Sequence, residues 1–304
     1  MRLHFRRFTL AVALALAGSV AATAQIPPQD PSDDSEIVVE GVREREQQIR
    51  RFVDALTEAP VRGQIGRFDW AVCPAAAGLP EAQNHEVVTR MRRVAEAAGV
   101  PLARANCRAN AIVILTPDKA ATLRWLRREH PAYFRNALGE RIRIADEDAP
   151  VTAWQVEGRL TEDGVPVGVS SGAGDSSNGN YYVVEATRSP SRITANSRPH
   201  FMASLVVIQL DALRGLTTTQ LADYAAMRLF ARTQPSRLQR STAPTILNII
   251  DTPMNAQVPL TLTQWDLGFL RALYGSAENH YATQQRNEIR RLLRSDLERS
   301  RNPD

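Results

Sequence analysis

The sequence predicts an α+β fold, a mixed sheet with helices packed on it and a helical C-terminus. Three observations carry this. Between residues 67 and 128 the periodicity alternates strand, helix, strand, helix. Ala109–Leu115 (ANAIVIL) is continuously apolar, as expected of a strand covered on both faces. After Phe201–Leu210 (FMASLVVIQL), helical spacing dominates to the end of the chain.

The chain opens on a different kind of segment. Arg2, Arg6 and Arg7 form a basic head, and no acidic residue precedes Asp30. An apolar run from Phe8 to Ala17 leads to Ala22-Thr23-Ala24, an A-x-A cleavage signal. Residues 1–24 therefore read as a secretory signal peptide, and the expected location is periplasmic or secreted. The run is short of the roughly 20 apolar residues a spanning helix needs. No transmembrane segment is expected once it is removed. Its three arginines lower the formal net charge from +4 to +1, so the basic balance does not point to nucleic acid. The basic residues are arginine with one exception, Lys119.

Residues 25–41 are expected to be a disordered spacer, with a short strand over Glu36–Gly41 (EIVVEG) as an alternative for its end. A single two-lobed α+β domain is then expected over 42–304. Arg43–Leu56 is an amphipathic helix, with Ile49, Phe52, Val53 and Leu56 on one face. Arg67–Cys73 (RFDWAVC) reads as a strand, Gln83–Ala98 as a helix, and Pro117–Arg128 as a second helix with Asp118 in its first turn. Val151–Leu160 and Tyr181–Thr187 read as two strands joined by a mobile Gly/Ser/Asp-rich loop over 161–180. Helices are expected from Thr218, over Thr263–Tyr274 and over Glu278–Ser300, with an apolar run Thr245–Ile250 among them.

Chemical motifs are few. Cys73 and Cys107 are the only cysteines, and in an oxidising compartment the pair predicts a disulfide. Gly168-Val169-Ser170-Ser171-Gly172 matches a nucleophile-elbow pattern, but the glycines and serines after it cannot carry the helix that motif needs. The five histidines are too far apart for zinc-ligand spacing, and no C-x-x-C occurs. Asp146-Glu147-Asp148 reads as a solvated acidic loop. Alternating charge over Arg286–Glu298 reads as a solvent-facing helix. No metal and no cofactor is expected.

One constellation is more specific. SLVVIQL leads to TTTQLADYAAMRLF, then PTILNIID, then TLTQWDLGFLRALYG. This order resembles the C-terminal third of zincin metallopeptidases of the matrixin type. The resemblance implies a polar cap at Thr263, a buried Asp266, and an apolar helix ending Leu273-Tyr274-Gly275. It also implies a turn at Pro244–Asn248 beneath the helix that would carry H-E-x-x-H. That motif is lost here: Gln220, Leu221 and Tyr224 stand at the positions of the first ligand, the general base and the second ligand. Leu247 replaces the turn's methionine. Locally, Thr217 and Gln220 read as a capping box, and Leu221, Tyr224, Ala225 and Leu229 as a core stripe. FDWAVCPAAAGLP and LADYAAMR further resemble a family of uncharacterised exported alphaproteobacterial proteins, which implies no activity. The expected function is non-catalytic binding of a peptide or an envelope protein, in a cleft floored by Gln220, Asp223 and Tyr224. A hydrolase of another class and a structural envelope component are the competing expectations.

Overall fold

A strand buried on both faces needs neighbours on both edges, and the most apolar run of the chain has them. In the computed structural model, strand β6 (Ser197–Gln209) lies between β2 (Ala111–Thr116), parallel to it, and β3 (Val151–Thr161), antiparallel. Strand β1 (Pro74–Ala77) adds in parallel beyond β2, so the order is β1-β2-β6-β3. The structure describes residues 31–57, 63–145, 147–171, 180–183, 191–253 and 256–301. The architecture is the α+β class the sequence predicts.

Alternation along the strands sends side chains to two unequal layers. On one face Leu205, Val207, Trp154 and Val156 meet Leu123 and Leu126 of α3 (Lys119–Glu129) and Phe134 of the 3₁₀ turn after it. On the other face Val206, Ile208 and Val113 join the larger core. That core is built from α1 (Pro31–Leu56), α2 (Glu81–Ala98), α4 (Thr218–Phe230), α5 (Gln264–Gly275) and α6 (Ala282–Arg299). From Arg43 to Asp304 the chain forms one compact unit.

Several expected elements move. Glu36–Gly41 is helical, because α1 starts at Pro31, a residue suited to a first helical turn. The later part of the expected spacer, 31–41, is therefore helix, whereas 25–30 and the whole expected signal peptide lie outside the described residues. A helix nucleated by the amphipathic 43–56 stretch extends upstream at one hydrogen bond per residue. Arg67–Cys73 is not a strand. It makes only isolated bridges, Arg67 to His200 and Val72 to Leu102. Its charged side chains turn into a buried network instead: Asp69 pairs with Arg198 at 3.1 Å, and Glu278 pairs with Arg67 at 3.1 Å and Arg198 at 2.9 Å. The strand comes one step later, at Pro74–Ala77, where three alanines carry no strand propensity and pairing with β2 alone makes the case. Gly78 ends it at φ +102°, where a Cβ would lie 1.8 Å from the Leu115 carbonyl oxygen.

Asp118 is the N-cap of α3, not part of its first turn, and its carboxylate accepts from Ala121 N at 2.8 Å. β3 does not neighbour the following strand. β5 (Asn180–Val183) is the described part of the strand expected over 181–187, whose residues 184–187 lie outside the described residues, and it pairs in a separate two-stranded sheet with β4 (Gly168–Ser171), which lies inside the stretch expected to be a loop. The long apolar β3 finds its match in β6 instead. Gly168–Ser171 is thus strand, with Gly172 and the rest of 172–179 outside the described residues. The last helix begins at Ala282, leaving Glu278 for the ion network. Its arginines do not simply face solvent: Arg290 pairs with Asp54 and Arg294 with Glu46, both on α1.

Cys73 and Cys107 form the disulfide, with Cα atoms 5.9 Å apart. Each lies just ahead of one of two parallel neighbours, β1 and β2, so both sit at the same end of the sheet. Asn110 reinforces the join, accepting from Cys73 N at 2.7 Å and donating to Ala71 O at 3.2 Å. Closing a loop of sequence separation 34 contributes about 3–4 kcal/mol on the chain-entropy model. The Cys73→Ser/Cys107→Ser double variant is expected to lose about that much in urea unfolding, and reductant should no longer affect its midpoint.

Candidate functional site

Helix α4 is the place to begin, because the three expected cleft residues lie on it. It starts with the capping box read from the sequence: Thr217 Oγ1 accepts from Gln220 N at 3.1 Å, and Gln220 Oε1 accepts from Thr217 N at 3.1 Å. Every residue from Gln220 to Phe230 is buried. A helix covered all round has no side free to floor a cleft.

The three side chains are accordingly committed inside. Gln220 also donates from Nε2 to Pro259 O at 2.8 Å. Asp223, 0% exposed, accepts from Arg90 Nε at 2.6 Å and Nη2 at 3.0 Å, from Thr261 Oγ1 at 2.7 Å and from Leu262 N at 2.6 Å. It ties α4 to α2 and to the segment leading into α5. The Tyr224 hydroxyl accepts from Arg228 Nη1 at 3.0 Å. Burial pushes its pKa up and the Arg228 charge opposes that. The expected cleft floor is a structural core, since the spacing that puts residues on one helix face does not say what covers the face.

Asp266 is also buried. As N3 of the α5 capping box it accepts from Thr263 Oγ1 at 2.8 Å, and it reaches back to Thr245 Oγ1 at 2.5 Å and Ile246 N at 2.8 Å. Burial raises its pKa against the pull of these hydrogen bonds. One carboxylate therefore holds the 3₁₀ turn Ile246–Asn248 onto α5.

An open site lies at the outer edge of β3, past the end of α4. In an antiparallel pair, alternate residues turn both backbone groups to the same edge. Glu157 O and Arg159 O face outward, accepting from Ala137 N and Val167 N at 2.9 Å each, while Pro150 O faces β6. By that alternation Val151, Ala153 and Gln155 turn their N–H and C=O to the outer edge, where no described strand pairs with them. Beside them runs a groove of about 220 Å³ between the 142–145 segment and the 232–234 segment.

Its charge is lopsided. Arg143, Arg228 and Arg232 line it, and no described carboxylate does. Arg232 is neutralised from outside, by Glu157 at 2.6 Å. Arg228, 7% exposed, has no carboxylate partner among the described residues. Its guanidinium lies 5.8 Å from the Tyr224 ring centroid, and its Nε is buried without an acceptor among the described residues. Thr233, 6% exposed, likewise has its Oγ1 buried without a partner among the described residues. None of these residues stood out in the sequence. The only signal was an arginine in an otherwise apolar helical stretch.

A second groove lies between Asp211–Leu216 and Ile249–Val258. Among the described residues neither groove brings two carboxylates together, and no three His, Cys, Asp or Glu side chains meet as a metal site. No helix among the described residues is long and apolar enough to cross a membrane. The chain matches no family model, no curated protein and no solved structure.

His200 is the most perturbed histidine, 2% exposed beneath Trp70 with ring centroids 4.4 Å apart. Burial, with repulsion from Arg198, lowers its pKa from 6.5 to about 4. The unfolded chain then binds the extra proton between those values. Stability is full above pH 6.5 and falls as the pH drops toward 4. The loss is on the order of 3 kcal/mol at 1.36 kcal/mol per unit, and a His200→Gln variant should show a correspondingly flatter stability profile from pH 7 to 4.5.

The two buried charges of α4 should respond in opposite ways. Asp223→Ala strands the donors of Arg90, Thr261 and Leu262 and is expected to cost about 3 kcal/mol or more. Arg228→Met removes a charge without a carboxylate partner, so its unfolding midpoint should stay level or rise. A midpoint lowered as far as that of Asp223→Ala would show Arg228 to be a structural residue.

Proposed function

We propose that this is an exported, non-catalytic binding protein of the cell envelope, which takes an extended peptide segment of a partner along the outer edge of β3. The carrying observation is that edge. Val151, Ala153 and Gln155 present unpaired backbone groups beside an open groove, the requirement for recognition by strand addition. Backbone hydrogen bonds would supply affinity that is indifferent to sequence. The side chains of the groove would supply selectivity.

The resemblance to zincin peptidases supports the same place, since in that architecture substrate lies along a sheet edge beside the helix. Support comes also from the strand-to-helix step β6–α4 and from Asp266 holding the turn before α5. Peptidase chemistry is not proposed, because Gln220, Leu221 and Tyr224 are spent on a cap and a core. Export rests on the signal-like segment of residues 1–24, and the disulfide is compatible with an oxidising compartment.

The test is a proline at the edge. Ala153→Pro deletes an N–H that faces outward, so the β3–β6 ladder survives. It should retain the wild-type fold and lose at least about tenfold in capture of random-sequence hexapeptides, roughly 1.4 kcal/mol. Protein purified from the periplasm should release no stoichiometric zinc. Stoichiometric zinc, turnover of the bound peptides, or undiminished capture by Ala153→Pro would each overturn the reading.

A further inference from the structure

We infer that the inner end of this groove, at Arg228 and Thr233, is a carboxylate-binding subsite for an acidic group of the bound peptide. The inference rests on the edge-strand reading above and adds the chemistry of the occupant. Arg228 projects from the last turn of α4 and is held in place before any ligand arrives. Nη1 is bonded to the Tyr224 hydroxyl, the backbone carbonyl accepts from Gln155 Nε2 at 3.1 Å, and the side chain is more than nine-tenths buried. Its Nε is left without an acceptor. A guanidinium in that position is costly unless something negative completes it.

The surroundings make a carboxylate the fitting complement. Gln155 is already engaged with Arg228 O and Ser204 Oγ. Arg232 is balanced by Glu157, so the surplus positive charge falls on Arg228 and on exposed Arg143 at the opposite wall. Thr233 adds a second buried donor without a partner. A planar carboxylate accepts along one edge of a guanidinium in bidentate fashion, and a hydroxyl completes a third contact. A groove of about 220 Å³ holds one or two residues, not a folded domain. The carboxylate is either the C-terminus of the peptide or an Asp or Glu side chain, and both present the same group.

Acetate serves as the smallest probe. Titrated into the mature protein, it should shift the Arg228 Nε–H and Thr233 amide resonances to saturation. The shift should weaken at least tenfold in Arg228→Gln and measurably in Thr233→Val, with both variants folded by circular dichroism. Random hexapeptides with free and with amidated C-termini then identify the source. A C-terminal carboxylate makes the free-acid pool bind at least tenfold better. An acidic side chain enriches Asp or Glu in what is retained from both pools. An acetate shift that fails to saturate, or one unchanged in Arg228→Gln, overturns the subsite. So does capture of neutral amidated peptides that is equal in wild type and Arg228→Gln, while the edge-strand reading stands. Saturable acetate at Arg228 with no hexapeptide retained does the reverse: the subsite stands and the edge-strand reading falls.

Discussion

The fold is organised around one strand whose second half, Ser204–Ile208, has no exposed side. β6 is hydrogen-bonded along both edges, parallel to β2 and antiparallel to β3, and its side chains from Ala203 to Ile208 are buried on both faces. Such a strand must have a layer of helices on each face. The thin layer of α3 and its 3₁₀ turn covers Leu205 and Val207, and the thick layer covers Val206 and Ile208. Because β6 takes β3 as its antiparallel neighbour, β3 becomes the edge of the sheet. The open edge is thus a consequence of how the most apolar segment satisfies its own backbone.

The thick layer is held by two buried carboxylates. Asp223 binds α4 to α2 through Arg90 and to the chain ahead of α5 through Thr261 and Leu262. Asp266 binds α5 to the turn at Ile246. Both are fully hydrogen-bonded, which is the condition for a carboxylate to be buried without a large penalty. Arg228 stands apart on the same helix. One turn beyond Tyr224 the helix reaches the groove, and there a buried charge is left incomplete. The contrast within a single helix separates a carboxylate whose hydrogen bonds are complete from a guanidinium whose hydrogen bonds are not.

Legibility followed the physics of each signal. Amphipathic helices α2, α5 and α6 and the apolar strands β2, β3 and β6 are visible because periodicity and apolar runs are local. The capping boxes at Thr217 and Thr263 are visible because they span four residues. β1 was not, since three alanines become a strand only by pairing with β2. The segment 67–73 has the alternating pattern of a strand, but that pattern cannot reveal that Arg67 and Asp69 bind Arg198 and Glu278, more than a hundred residues away. The expected cleft floor proves to be core for a related reason. Gln220, Asp223 and Tyr224 sit at the spacing of a site, but long-range partners decide whether that spacing faces solvent or core.

The sequence by itself determined the α+β class, most of the elements, the cysteine pair and the absence of zinc ligands from α4, since each depends on residue type and short spacing. Tertiary structure alone decided that β3 is an edge, that Asp223 is a structural anchor and that Arg228 opens into a groove. Those properties depend on what is not beside a residue as much as on what is. Unpaired backbone groups and an uncompensated charge exist only once every other segment has taken its place.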